Sequence, residues 1–254
     1  MKASVNAGML LVAAAILAGP SNAQETEDGW DLAADPATNS ISASISYASG
    51  ASIIVQCRAG TLLAGISGTP LSRGPSRRAL FTRGDVFSTA SQWEASADGR
   101  LALNNAPITA RFLRLGGPVT LQSVEGDSAP FSVAFDLPAS GAAVDRVLTA
   151  CDQPVTRDHD RATDVSALLE EGFAVEMPTA ALPRTGGVQT VALSCIIADG
   201  RLSECVSERQ QPPNPQGGEL TARRANGVRV RLSNAAAAEG GRVEIVVTGA
   251  RIRR

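Results

Sequence analysis

Four cysteines carry the most definite chemistry in this chain of 254 residues. Cys195 and Cys205 lie on either side of Asp199-Gly200, a dipeptide that favours a two-residue hairpin turn, so they can be joined across neighbouring strands. Cys57 and Cys151 remain, and a disulfide between them would close a loop across the first half of the chain. Three pairings are formally possible, and no pair has the C-x2-C spacing of a zinc site. We predict two disulfides, and position favours the pairings 57–151 and 195–205.

The other residues that could do chemistry form no catalytic pattern. The only histidine lies in Asp158-His159-Asp160, which we interpret as part of a solvated linker, because adjacent residues rarely converge on one metal ion. Gly65-Ile-Ser67-Gly68 lacks the spacing of a nucleophile elbow. We therefore predict no catalytic, cofactor-binding or metal-binding residues. The alternative is a hydrolase with a carboxylate pair in the first half, because the chain has 25 acidic residues.

The first residues predict export. Lys2 precedes an apolar run over 8–18, and Ser21-Asn22-Ala23 places small residues at a cleavage site. The run is shorter than the about 20 residues that a membrane-spanning helix needs. We expect a signal peptide over 1–23, cleavage after Ala23, a periplasmic protein and no transmembrane segment afterwards.

The charge balance argues against nucleic acid as a partner. Lys2 is the only lysine, so the mature chain would carry 22 arginines (23 − 1) against 25 acidic residues. Such a chain has no large positive field with which to displace phosphate counterions. It also has no lysine to form a Schiff base.

The first half alternates short apolar segments with turns rich in Gly, Pro, Asn and Asp, a pattern typical of a β-sandwich or barrel. The predicted strands are 41–47, 53–57, 61–66, 87–93, 101–103, 108–115, 119–124 and 131–137. Residues 140–151 change to helical spacing with Ser140 as the N-cap. Because this helix ends on Cys151, a bond to Cys57 would pin it to a strand.

The domain prediction follows from these segments. We expect a mainly β protein with minor α, built from a β-sandwich or barrel-like first domain and a small β-β-α-β second domain. The predicted boundaries are a signal peptide over 1–23, a flexible segment over 24–39, a β-rich domain ending in a helix over 40–152, a linker over 153–174 and a second domain over 175–254.

Residues 177–254 carry a resemblance to a known family. Its elements are Gly186-Gly187, Val191 to Cys195, Asp199 to Leu202, Cys205, a helix-like Glu219 to Ala225, and Gly241 to Val247. This stretch resembles the C-terminal domain of TonB energy transducers, in the cysteine-containing form of some alphaproteobacterial relatives. The first half is not assigned to a family. The transducer's anchor and proline-rich spacer are missing, so the resemblance does not imply energy transduction.

The resemblance implies a three-stranded antiparallel sheet whose third strand starts at Arg242. Its edge could accept a strand from a partner, and we assign that edge to Val243, Ile245 and Val247. A regular hairpin would set Glu204 opposite Cys195, so the 195–205 disulfide requires a bulge near Ser203-Glu204. Residues 244–252 are also similar to the TonB box of outer-membrane receptors, but we expect an ordinary core strand there.

The sequence thus predicts a periplasmic, non-enzymatic binding or accessory protein of the cell envelope. Its expected partners are envelope proteins, with components of the TonB system as the candidates, and no cofactor is expected. The alternatives are a periplasmic hydrolase and a structural envelope protein.

Overall fold

The computed structural model describes residues 24–25, 29–70, 74–84, 87–95, 99–104, 106–123, 130–170, 173–184 and 186–251. The protein is mainly β with minor α, as predicted. Two sheets each cover a hydrophobic core of their own. The predicted signal peptide lies outside the described residues. In the described ranges no helix combines the length and the apolar character needed to cross a membrane.

The first sheet contains ten strands that pair antiparallel in the order β1-β2-β3-β4-β5-β8-β7-β6-β9-β10. The strands are β1 Gln24–Glu25, β2 Asp31–Asp35, β3 Ser40–Ser46, β4 Ser52–Arg58, β5 Thr61–Ser67, β6 Ser76–Arg83, β7 Phe87–Ala95, β8 Leu101–Asn104, β9 Gly117–Ser123 and β10 Ser132–Leu137. Two helices complete this half, α1 Pro107–Leu113 and α2 Ala142–Ala150.

The first sheet curls so that distant strands approach each other. Tyr47, just after β3, packs against Phe135 of β10 with ring centroids 5.3 Å apart, and its hydroxyl donates to the Asp136 carbonyl. Val144 and Leu148 bury the apolar face of α2 in the core of this curl.

The predicted disulfide between Cys57 and Cys151 is present and joins β4 to the end of α2. Because it closes a loop of 94 residues, it removes much of the conformational freedom of the unfolded first half.

Three local predictions in the first half are wrong. The segment over 24–39 is not flexible where it is described, because β2 joins the sheet and Trp30 and Leu32 are buried. Residues 108–113 belong to a helix instead of a strand and 114–115 to a turn; Pro107 occupies the first turn of this helix, and every residue of α1 is buried. The N-cap of α2 is Gly141, not Ser140.

The second sheet has the order β12-β11-β13, with all pairs antiparallel. Its strands are β11 Gly187–Ala198, β12 Arg201–Gln211 and β13 Arg242–Arg251, and the helices are α3 Pro215–Ala225 and α4 Ala235–Ala238. Ala222 and Ala225 of α3 pack into its core. This is the predicted β-β-α-β arrangement with one extra short helix, and residues 244–251 belong to a paired strand, as expected.

The hairpin of β11 and β12 has both of its predicted features. Asp199 and Gly200 have φ of 52° and 67°, as a two-residue primed turn requires. The register shifts so that the single residue Cys195 faces both Glu204 and Cys205, and Glu204 has φ of 50°. This bulge allows the Cys195–Cys205 disulfide to form on the buried face.

The two disulfides are expected to differ in their contribution to stability. Replacing Cys57 and Cys151 together by alanine should lower the free energy of unfolding by about 4–5 kcal/mol, because their bond closes the long loop. The matched Cys195→Ala/Cys205→Ala variant should lose only about 3 kcal/mol, because its loop spans 10 residues. Urea unfolding of both variants measures the difference. An equal or reversed order would contradict this account.

Candidate functional site

The first candidate binding feature is the outer edge of β13, the side of this strand that faces away from β11. In an antiparallel pair, backbone groups point alternately toward and away from the neighbouring strand. The Arg242 N–H donates to the Thr163 carbonyl and the Val165 N–H donates to the Arg242 carbonyl, both at 2.8 Å. The backbone N–H and C=O groups of Arg242 therefore point outward, and so do those of the other even-numbered residues of β13.

The predicted edge residues lie on β13, but their backbone groups do not face its outer edge. The side chains of Val243, Ile245 and Val247 are buried in the core, and the backbone alternation directs their N–H and C=O groups toward β11. The apolar period-two pattern identified the core-facing residues. The groups that can meet a visiting strand belong instead to Val246 and Thr248.

A segment that we call the strap, residues 163–170 and 173–182, runs along this edge in the same direction as β13. At its start, Asp164 forms a parallel bridge with Arg242. The Glu244 N–H donates to the Ser166 hydroxyl at 3.0 Å. The first two outward positions of β13 are therefore already occupied.

The strap returns to β13 at the far end of the strand. Arg251 donates to the Thr179 carbonyl at 3.3 Å. Met177 and Leu182 pack so tightly over Gly249 that a Cβ there would lie 3.0 Å from the Met177 Sδ and 2.8 Å from the Leu182 Cδ2. A residue larger than glycine would therefore require the side chains of Met177 and Leu182 to shift.

Between these two attachments the strap bows away from β13. The Glu170 N–H donates to the Arg231 carbonyl and the Ser233 N–H donates to the Leu168 carbonyl, so this part pairs with a different loop. In the described part of the chain, no backbone hydrogen bond reaches the outward groups of Val246 or Thr248.

The bow leaves a groove beside the free edge. Its volume is about 430 Å³, within the size range of ligand sites. One wall is formed by Leu169, Phe173, Ala174 and Val175, and the other by β13 from Glu244 to Thr248. Val246 is 62% exposed there, although it is apolar. The groove therefore combines apolar walls with free backbone groups.

A second feature lies between the two sheets, around the buried side chain of Arg111. Arg111 is 1% exposed. Its Nε donates to both carboxylate oxygens of Asp160 at 2.7 and 3.0 Å, and its Nη2 donates to both oxygens of Glu208 at 3.1 Å. Arg157 lies 3.5 Å from Glu208 and adds a second positive charge. Arg111 comes from α1 and Glu208 from β12, so these ion pairs join the two halves.

The sheet itself presents Glu208 to this network. The register of β11 and β12 shifts at a second bulge, where Ala192 faces Arg209 and Leu193 faces Ser207. Glu208 is the extra residue of this bulge. Bulges commonly redirect a side chain in this way.

The prediction of a solvated linker around Asp158-His159-Asp160 is wrong. Asp160 is buried against Arg111, and His159 is buried with its Nδ1 3.4 Å from the Ser194 hydroxyl and its Nε2 3.5 Å from Glu204. The two neighbours turn to different partners, so they do not converge on one ion. Ser194, His159 and Glu204 form a Ser–His–Glu row, but a catalytic triad has the serine at Nε2 and the carboxylate at Nδ1, the reverse of this arrangement, and Ser194 has 0% exposure.

The charge network continues to the groove through Arg242. Arg242 is 1% exposed and lies 3.6 Å from Asp164 and 3.8 Å from the Glu244 Oε1. Within the described residues this buried oxygen of Glu244 accepts no hydrogen bond. The pKa of Glu244 is raised to about 7, mainly by burial; the charges of Asp164 and Glu208 also raise it, whereas those of Arg242 and Arg111 lower it.

We call this group the charge layer: Arg111, Arg157, Asp160, Asp164, Glu208, Arg242 and Glu244. Sequence reasoning missed Arg111, because it lies within the apolar segment Ile108 to Leu113. The available signal was Pro107, which favours the first turn of a helix. A charged residue in a helix that is buried all round then requires a buried partner of opposite charge.

Another groove, of about 560 Å³, lies on the first sheet. Its lining includes Ser52, Ile54, Glu94 and Arg100. Glu94 is the only acidic residue among its described lining residues, whereas the chemistry of a glycoside hydrolase requires two carboxylates.

Comparisons of the chain with protein-family models, curated proteins and solved structures found no match.

Removing the central cation tests the role of the charge layer. Arg111→Leu should lower the free energy of unfolding by about 3–5 kcal/mol, because Asp160 and Glu208 would remain buried without a counterion. The matched variant is Arg114→Leu, which breaks a partly exposed ion pair with Asp145 and should cost about 1 kcal/mol or less. Chemical denaturation compares the two. Similar losses would show that the buried pairs do not hold the halves together.

Glu244 should make stability depend on pH. Its pKa is raised from 4.5 to about 7, so the folded state holds this proton more tightly than the unfolded chain. The resulting stabilisation is complete below about pH 4.5 and is lost as the pH rises through about 7. Glu244→Gln should therefore match the wild type at low pH and exceed it by about 1 kcal/mol at about pH 8, a modest value because the side chain is 33% exposed.

Thermal unfolding at several pH values measures this gap. Glu176→Gln is the control, because Glu176 is 84% exposed and its removal should leave the pH profile of the wild type unchanged. If the stability difference between Glu244→Gln and the wild type is absent, or grows as the pH falls, the raised pKa of Glu244 is contradicted.

Proposed function

We propose that this protein is a non-enzymatic binding or accessory protein of the bacterial cell envelope that holds an extended segment of a partner protein along the outer edge of β13. The observation that carries the proposal is the pair of outward positions Val246 and Thr248, which no described residue occupies, beside an apolar groove. A strand added there would gain main-chain hydrogen bonds, which give affinity without a particular partner sequence.

The groove restricts the form of the partner. One face of an added strand would lie toward Phe173 and Val175, and the other would lie toward solvent beside Val246. Side chains of a strand alternate between its two faces. The fitting partner is therefore an extended segment with apolar residues at every second position.

The structure also supports placing this activity outside the cytoplasm. The two disulfides fit an exported protein, because such bonds persist in oxidising compartments. Together with the signal-peptide pattern of residues 1–23, they support a periplasmic location. The bulged hairpin with its disulfide and the β-β-α-β order support the resemblance to TonB C-terminal domains, and on that basis components of a TonB system are the proposed partners.

The alternatives have less support. No acidic residue is buried in the described part of the first half, which gives no environment for a general acid with a raised pKa. A purely structural role does not require a free strand edge with an exposed apolar residue. Such edges are usually blocked by charged residues, proline or a covering segment.

Blocking the edge with proline tests the proposal. The probe is a fluorescein-labelled peptide of alternating valine and threonine, about six residues long. Val246→Pro removes an outward N–H while leaving the bonds to β11 intact, so it should weaken binding at least about tenfold without unfolding the sheet. Val246→Thr keeps the N–H and should bind like the wild type. Fluorescence anisotropy measures affinity.

Thr248→Pro is a second variant with the same design, in case Val246→Pro lowers the melting temperature. Amide hydrogen exchange provides the local readout. In the free protein the Val246 and Thr248 amides should exchange faster than those of Ile245 and Val247, and peptide should slow the first pair. Binding that survives both proline variants, or no binding by the wild type, would overturn the proposal.

A further inference from the structure

We infer that the groove beside β13 selects a partner strand with a lysine or arginine at the end that lies next to Glu244. The inference rests on the proposed function, since it names the chemistry of the segment that the edge would receive. It follows from the charges that meet where the groove joins the charge layer.

Counting formal charges shows one unmatched carboxylate. The charge layer contains the three arginines 111, 157 and 242 and the four carboxylates 160, 164, 208 and 244. Arg111 is shared by Asp160 and Glu208, and Arg242 lies closer to Asp164 than to Glu244. The layer is therefore one positive charge short when all four carboxylates are ionised.

Glu244 is the carboxylate that remains. Its Oε1 is buried and has no hydrogen-bond donor among the described residues, while one third of the side chain is still accessible. Glu244 also lines the groove. Its remaining accessible surface therefore lies where a partner strand would enter.

When Glu244 is ionised, no further cation is available to it in the described part of this chain. The charged groups that act on Glu244 are Arg242, Asp164, Glu208 and Arg111, and both arginines already have carboxylate partners. A basic side chain from the visiting strand would supply the missing donor and the missing charge. Charge-assisted hydrogen bonds of this kind are stronger than neutral ones.

The start of the strap fixes where this contact falls. Because Thr163 to Ser166 occupy β13 as far as Glu244, a visiting strand can extend only from this point toward Thr248. The residue that meets Glu244 is therefore at one end of the bound segment. A basic residue at the other end would lie beside Thr248 and would gain nothing from Glu244.

The sign of the pH dependence separates a basic partner from a neutral one. A lysine opposite Glu244 favours the ionised carboxylate, so the affinity should rise as the pH increases through about 7. A neutral strand only removes water from Glu244 and favours its protonated form, so its affinity should fall over the same range.

The experiment uses three labelled peptides: the neutral valine–threonine peptide, and two versions with lysine at the first or the last position. At about pH 8, one lysine peptide should bind about tenfold more tightly than the neutral one, and the other should not. With Glu244→Gln the three should bind equally, with no pH dependence. Glu219→Gln, a change at an exposed position of α3, should keep the wild-type preference.

The outcomes are separable. Equal affinity of all three peptides for the wild type would overturn this inference and leave the strand-binding function standing, as would a lysine preference that survives Glu244→Gln. Absence of binding by every peptide would overturn both. Concentration-dependent dimers that peptide dissociates, seen by sedimentation, would show that a second copy of this chain is the occupant and would contradict a basic partner strand.

Discussion

Burial of the Arg111 guanidinium is the constraint on which the arrangement of the two halves depends. A charge that is removed from water must be paired, because leaving it alone costs far more than the halves could gain by contact. Arg111 enters from a helix of the first half, and its carboxylates come from the linker and from β12. The bulge at Glu208 and the turn at Asp160 are both needed to bring those carboxylates to one side chain. The directional hydrogen bonds then fix how the two cores meet.

The same charges reach the binding edge. Glu244 is close enough to Arg242 and Asp164 to share their field, and it also forms one end of the groove. The strap connects these features in sequence. It supplies Asp164 to the charge layer, covers the first outward positions of β13 and then bows away. The proposed strand binding at this edge and the electrostatics between the halves would therefore be linked through one carboxylate, a physical route by which pH would affect the proposed choice of partner.

The sequence predicted the second sheet well because local rules determine it. The turn at Asp199-Gly200 fixes the register of the hairpin, and pairing Cys195 with Cys205 then requires a bulge, which the structure has at Glu204. Residues 108–115 were assigned wrongly because Ile108, Ala110 and Phe112 alternate as in a strand, although all faces of this segment are buried in a helix. For short apolar segments, the periodicity of apolar residues alone does not distinguish a strand from a buried helix.

The candidate site was harder to predict because its parts are distant in sequence. Arg111, Asp160 and Glu208 meet only after both halves have folded, and no local pattern marks them. The alternation of apolar residues identified β13 as a strand. It selected Val243, Ile245 and Val247, whose backbone N–H and C=O groups point toward β11 and not toward the outer edge. Which positions face outward depends on the pairing with β11 and on the course of the strap. These are properties of the tertiary structure.

The most direct measurement of the central claim is disulfide trapping at the edge. All four natural cysteines are in disulfides, so Val246→Cys introduces the only free thiol. It should trap peptides that carry cysteine at alternate positions and miss those in between, because side chains on one face of adjacent strands repeat with period two. Leu115→Cys, at an exposed position in the first half, should trap none selectively. Trapping at every peptide position, or equally by both variants, would contradict a strand bound along β13.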